Sequence, residues 1–215
     1  MHYFAPGKVV LMGEFSVVDG GQALVAAIDH GVRVHATASP NLLIKTPTND
    51  RFVRPALNAA GTRQGEFVFS DSYPSYGGKK IGVGGSASAT VAAIAAAYGL
   101  RDEKIDPQTL FDLAHRVHQG VQGTGSGVDI AASVWGGLLQ YQACQATPVQ
   151  GLLPLLIWSG ESASTGPRVV QYQRLDNDYR DKFRTQSNTL VAQYESDPIT
   201  ALNENGALIA DMAQI

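Results

Sequence analysis

The sequence predicts an α+β fold, and three observations carry that prediction. β-rich runs crowd the first third of the chain, small helix formers dominate the middle, and strands with polar helices follow, without the regular alternation of a parallel sheet. The runs at residues 9–11, 15–18, 23–28 and 32–37 are separated by Gly13, by Gly20 and Gly21, and by Gly31, which predicts a small sheet of hairpins. Residues 42–45 and 66–69 read as two further strands, and 70–80 as a loop rich in serine, tyrosine, proline and glycine. Residues 86–98 form a helix of small side chains, with Gly99 placed as its C-cap. A second helix spans 107–119, with Leu110, Phe111, Ala114 and Val117 at helical spacing. A third runs from Asp129 to Trp135 and stops at Gly136 and Gly137. Strands at 138–142 and 152–158, a polar helix at 177–194 and a last helical run from Pro198 complete the prediction.

Composition narrows what the chain can do. Of 215 residues, 44% are apolar and 16% charged, which provides a packed core and excludes disorder. The net charge of −3 gives no whole-molecule attraction to nucleic acid or anionic lipid, so a local basic site and a small-molecule partner are expected. Cys144 is the single cysteine, too few for an intrachain disulfide or a thiolate zinc cluster, so a reducing, cytoplasmic setting is expected. The first apolar stretch contains Lys8 and Glu14 and is interrupted by Pro6 and Gly7, unlike a secretory signal. The uncharged stretches 81–100 and 130–160 are too rich in glycine, alanine, proline or glutamine to read as membrane spans.

The chain has 23 glycines, and three glycine-rich segments stand out. The stretch from Gly82 through Gly84, Gly85, Ser86, Ala87 and Ser88 runs into the alanine-rich helix, where exposed backbone N–H groups and partial positive charge suit a phosphate. No Gly-Lys-Ser/Thr closes it as a Walker loop, and no strand directly precedes it as in a dinucleotide fold, so glycines chosen for their backbone alone remain the alternative. The second segment, Gly123 to Asp129, puts a carboxylate at the mouth of an apolar helix, where it either takes a proton from a substrate hydroxyl or caps the helix. The third surrounds Lys8 with apolar residues between Gly7 and Gly13, a cation that either lowers the pKa of a nearby hydroxyl or snorkels off a strand.

In this order the segments resemble the superfamily of galactokinase, homoserine kinase, mevalonate kinase and phosphomevalonate kinase, the GHMP kinases. The resemblance covers most of residues 5–137 and rests on Ala5 to Glu14, on Gly82 to Ser88, and on Gly125-Ser126-Gly127-Val128-Asp129 with Gly136-Gly137. Gly13 to Gly21, His118-Gln119-Gly120 and Trp158 to Thr165 look most like the phosphomevalonate kinase branch. The resemblance implies a two-domain fold, with an ATP-binding unit at 1–150 and part of a ferredoxin-like unit at 151–215. It implies transfer of a phosphoryl group from ATP with Mg2+ to phosphomevalonate, with mevalonate kinase or another GHMP kinase as the alternative.

The same resemblance gives Asp129 the role of base and Lys8 that of activating the acceptor oxygen. Gly82, Gly84, Gly85, Ser86, Ala87 and Ser88 then hold the nucleotide, and Ser86 lies near the metal. Lys79, Lys80, Ser126, Ser162, Ser164, Thr165 and Arg168 are the expected contacts to an acidic substrate, with solvent exposure as the alternative for the lysines. His118 stands eleven residues before Asp129, where mevalonate kinases carry a magnesium-binding glutamate, so the metal is expected to be held mainly by ATP and water. His115 and His118 are expected on the helix surface or lining the pocket, not as a metal pair. The superfamily's third glycine motif is missing, so the chain is expected to be an amino-terminal portion, and one that binds nucleotide without turnover is the competing expectation. Leu202, Leu208, Ile209 and Met212 are expected to need a partner surface, which makes a homodimer plausible.

Overall fold

The computed structural model describes residues 1–71, 81–152, 155–157 and 165–213. Two long strands, β1 (His2–Met12) and β2 (Ala23–Thr37), pair antiparallel from His2 opposite His35 to Met12 opposite Leu24. The other side of β2 is shared. Its C-terminal half pairs with β4 (Gly65–Asp71), which carries the parallel strand β3 (Leu42–Lys45), and its N-terminal half pairs with β5 (Leu138–Gln142) of the β5–β6 hairpin (β6, Gln145–Pro148). The result is a mixed six-stranded sheet, so the α+β expectation stands.

Alternation along β2, reset once by the register shift opposite Pro6 and Lys8, sends successive side chains to opposite faces of the sheet. Val25, Val32 and Val34 enter the main core, under helices α1 (Val53–Ala59), α2 (Gly85–Leu100), α3 (Pro107–Gln122) and α4 (Val128–Trp135). Leu24 and Ala26 face the other way, into a second cluster with Met12, Leu138, Val191, Tyr194 and Ala201. That cluster is roofed by α6 (Asn177–Gln193) and α7 (Pro198–Met212), which follow α5 (Thr165–Gln173). Helix α2 is buried along most of its surface, from Ala87 to Ala97, and small residues let it lie close to the sheet and to its helical neighbours. Asp106, Asp176 and Asp197 start α3, α6 and α7 by accepting N–H bonds from Thr109, Tyr179 and Thr200. Pro107 and Pro198 follow two of these caps, where a missing N–H costs nothing.

Several expectations are corrected. Residues 15–18 were predicted as a strand, but Ser16–Asp19 is a 3-10 turn, apolar because Val17 is buried and not because it pairs in a sheet. Gly31 does not separate two strands. It lies within β2, where a Cβ would stand 2.0 Å from the Ala5 carbonyl oxygen. Gly99 is not the cap of α2, which continues to Leu100; a side chain at that position would collide with the Tyr3 hydroxyl. Helix α1 and strand β6 were not predicted. Of the strand expected at 152–158, the described residues Leu152 and 155–157 form no strand. Leu202 packs into the second cluster, and Leu208, Ile209 and Met212 pack around Phe15, Tyr172 and Phe183, so these apolar residues find their partners within the chain. This removes the reason given for a homodimer.

Where α7 meets the start of the 3-10 turn, Glu14 and Asn205 are brought together, and Glu14 Oε2 and Asn205 Oδ1 are both buried without a hydrogen-bond partner among the described residues. Burial pushes the Glu14 carboxyl above its ordinary value, against a smaller opposing effect of hydrogen bonds from its own backbone and from Asn205. As pH rises past about 4.3 the unfolded chain ionises first while the folded carboxyl keeps its proton, so stability falls through that window and stays lower above the raised value. Glu14→Gln removes this loss and supplies an N–H toward Asn205 Oδ1. The variant is therefore expected to gain on the natural chain as pH rises from 4 to 7, reaching about 1 kcal/mol in urea unfolding. An equal difference at both pH values would rule this account out.

Candidate active site

Two helix N-termini meet beside one lysine. Gly84 (φ 82°) caps α2 and Gly127 (φ 88°) caps α4, both in the left-handed region that favours glycine, and neither helix has a side-chain cap at that residue. The first-turn N–H groups are thereby offered to a ligand. Lys8 lies in β1 next to a register irregularity between Pro6 and Lys8, and its N–H donates to the Val83 carbonyl at 2.9 Å. Its aliphatic stem runs past Gly84, where an added Cβ would sit 3.1 Å from Lys8 Cγ. Its ammonium ends 3.2 Å from Asp129 Oδ1, with side-chain exposures of 16% and 33%. Lys8 therefore links the two glycine-capped termini, and the ion pair stays open enough to reach a ligand.

The strut beneath this arrangement is the Pro6 carbonyl. Ser88 Oγ of α2 donates to it at 2.7 Å and Ser133 Oγ of α4 at 2.8 Å, which fixes both helices to the segment that presents Lys8. Ser88, expected as a nucleotide contact, is fully buried, so its side chain supports the cradle from below. Ala87 is buried as well, and an added Cβ at Gly82 would meet nothing within 4 Å, so the loop's outer side is open. Ser86 is half-buried in the first turn of α2, with its Oγ 3.0 Å from His118 Nε2. His118 is 6% exposed and stacks on Phe52 at 5.0 Å between ring centres. Burial holds its imidazole below the ordinary histidine value, partly offset by Asp129.

The loop before α4 is fixed from behind. The Tyr141 hydroxyl donates to the Ser126 carbonyl, and an added Cβ at Gly127 would lie 2.6 Å from that hydroxyl. Burial raises the Tyr141 phenol well above its ordinary value, so it remains a donor. Ser126 Oγ accepts weakly from the Val128 N–H at 3.4 Å. His115 reaches toward Gly125 O at 3.5 Å and Cys144 Sγ at 3.7 Å.

The structure thus brings together Lys8, Asp129, Ser126 and the Gly82 to Ser88 loop. Lys79, Lys80, Ser162 and Ser164 lie outside the described residues, as does the Thr165 side chain. Arg168 is exposed on α5 and makes no ion pair among the described residues. Ser133 and Phe52 escaped the sequence reading. A serine four residues after Asp129 in an otherwise apolar helix was the available signal for the first, and Phe52 had none.

Residues 53–137 match the family described as the GHMP kinases N terminal domain. Over that segment the chain is similar to the GHMP kinases. It is 30% identical over 204 residues to the mevalonate kinase of Thermococcus sibiricus, covering 79% of this chain and 60% of that protein. It is 27% identical over 181 residues to the phosphomevalonate kinase of a Streptomyces species, covering 65% of this chain and 48% of that one. The chain thus spans 60% or less of the length of these relatives. The GHMP kinase fold is shared with the Streptococcus pneumoniae phosphomevalonate kinase structure, at a TM-score of 0.84 and 20% identity over 99% of this chain and 79% of that one. The Methanococcus jannaschii mevalonate kinase structure gives a TM-score of 0.81 at 16% identity, covering 99% and 79%.

An uncapped helix N-terminus with glycines open to solvent fits a polyphosphate. No group of three or more His, Cys, Asp or Glu side chains suited to a metal occurs among the described residues. Ser86 Oγ, in the first turn of α2, offers one oxygen, which fits a magnesium ion that keeps most of its shell from phosphates and water.

Proposed function

We propose that this chain is the ATP-binding part of a mevalonate-pathway kinase that transfers the γ-phosphoryl group of ATP to phosphomevalonate. The observation that carries the proposal is the Lys8–Asp129 pair set between two uncapped helix N-termini. Phosphoryl transfer needs positioning and charge neutralisation more than covalent chemistry, and these are the parts present. Residues 1–150 would form the nucleotide-binding unit and 151–215 the beginning of a second one.

The first-turn N–H groups of α2, from Gly85 to Ala87, would hold the phosphates, and Ser86 would face the metal. Bound, ATP with magnesium supplies the transferable phosphoryl group and offsets its charge. The acceptor oxygen forms its new bond to phosphorus as the bond to the leaving ADP breaks, and Asp129 takes the acceptor's proton where that oxygen still carries one. Lys8 orients that carboxylate and stabilises negative charge at the acceptor oxygen. Ser126, at the mouth of α4, would contact the acceptor, and Lys79, Lys80, Ser162, Ser164, Thr165 and Arg168 are the further groups proposed for its carboxylate and phosphate.

The S. pneumoniae phosphomevalonate kinase is also known in complex with phosphomevalonate and AMPPNP, which supports this acceptor and ATP. Mevalonate is the second reading, favoured by the several archaeal relatives named mevalonate kinase. An ADP-release assay with phosphomevalonate, mevalonate and homoserine decides between them. A higher kcat/KM on phosphomevalonate is the expected result. Turnover of mevalonate alone would transfer the assignment, and nucleotide binding with no turnover would favour a chain that binds without catalysis.

A further inference from the structure

The polar side chain that reaches the cradle serine is not a carboxylate. His118 reaches Ser86 from α3, across 32 positions of sequence, with Nε2 3.0 Å from Oγ. Its ring is held on the far side by Phe52, at 5.0 Å and an interplanar angle of 24°. Phe52 belongs to a turn that is itself tied to α3, because Arg51 Nη2 donates to the Val121 carbonyl at 2.8 Å and the Arg51 guanidinium lies 5.5 Å from the Phe52 ring centre. The turn before α1 and the end of α3 thus clamp one imidazole, and that imidazole holds one hydroxyl in the first turn of α2. A serine hydroxyl has three staggered positions, and a buried partner selects one of them.

We propose that His118 is a positioning residue for the nucleotide: clamped by Phe52, it fixes the Ser86 hydroxyl in the orientation that meets the phosphates and their metal. This rests on the kinase reading above. His118 acts through Ser86, so its effect exists only while that hydroxyl is present. Phenylalanine at 118 keeps the ring against Phe52 and loses the hydrogen bond, whereas glutamine places an amide near the position of Nε2 and can either donate or accept.

The test is a double-mutant cycle read by binding of a fluorescent ATP analogue, mant-ATP, with Mg2+ to the full chain. His118→Phe and Ser86→Ala are each expected to weaken binding about fivefold, the size of one hydrogen bond. The double variant should bind no more than about twofold worse than Ser86→Ala, and His118→Gln should stay within about twofold of the natural chain. Independently, Ser86→Ala should shift the His118 Nε2 nitrogen resonance without any ligand. Equal weakening by His118→Phe in both backgrounds, or an unmoved resonance, would overturn the proposal even if His118→Phe folds poorly. A natural chain that binds mant-ATP while the variants behave additively defeats this inference alone, whereas a natural chain that binds no nucleotide defeats the kinase reading with it.

Discussion

Asp129→Asn will leave nucleotide binding intact and lower turnover at least a hundredfold. The carboxylate is half-exposed beside Lys8 at 3.2 Å, so the amide fits the same space while removing both the proton acceptor and the partner of the ammonium. General-base contributions span roughly 10²- to 10⁴-fold, and the acceptor decides where in that range the loss falls. An acceptor phosphate has a second pKa of about 6 and is largely ionised at neutral pH, so phosphomevalonate should suffer the smaller loss. An alcohol keeps its proton until attack, so mevalonate should suffer the larger. Steady-state kinetics on both acceptors, alongside mant-ATP binding, checks this. Turnover within tenfold of the natural chain on either acceptor would remove Asp129 from the role of base, and lost nucleotide binding would show that its role lies in the cradle instead.

Gly31→Ala, opposite Pro6 in the β1–β2 pairing, is expected to be strongly damaging to the fold. The added Cβ would stand 2.0 Å from the Ala5 carbonyl oxygen and 2.8 Å from Pro6 Cα, atoms of the neighbouring strand that cannot move aside as a flexible side chain would. Overpacking of this kind costs about 3 kcal/mol, or a fall in Tm of roughly 6–12 °C for a chain of this length. Gly20→Ala is the control. Gly20 has φ 77° with nothing within 4 Å of an added Cβ, so only backbone strain of about 1 kcal/mol is expected. The displaced segment carries the Pro6 carbonyl that Ser88 and Ser133 share, so activity should fall further than stability alone requires. Thermal unfolding of the two variants side by side checks the steric account, which fails if Gly31→Ala costs no more than Gly20→Ala.

The sequence by itself determined the pieces whose causes are local. Glycines in left-handed conformations, aspartates followed by helix formers, and Pro107 and Pro198 at helix starts act within a few residues, so α3, α6, α7 and the three glycine segments could be read in order. Lys8 and Asp129 could be singled out for the same reason, since each sits in a short segment that makes little sense as ordinary surface. What the tertiary structure decided is everything set by a neighbour distant in sequence. Phe15 and Val18 are apolar because α5 and α6 cover them and Val17 because it enters the main core, not because the segment forms a strand, and local composition cannot tell these apart. Helix α1 is short, with Pro55 in its first turn, where no intrahelical N–H bond is required, so the proline hides a helix that only α2 and α3 stabilise. The β5–β6 turn places Ala143 and Cys144 at positive φ without the glycine that would announce it. Gly31 and Gly99 looked like punctuation and proved to be points of close approach, to Ala5 and to Tyr3. The meeting of Lys8 with Asp129 and of Ser86 with His118 spans 121 and 32 residues of chain, and such contacts exist only once the sheet and helices have packed.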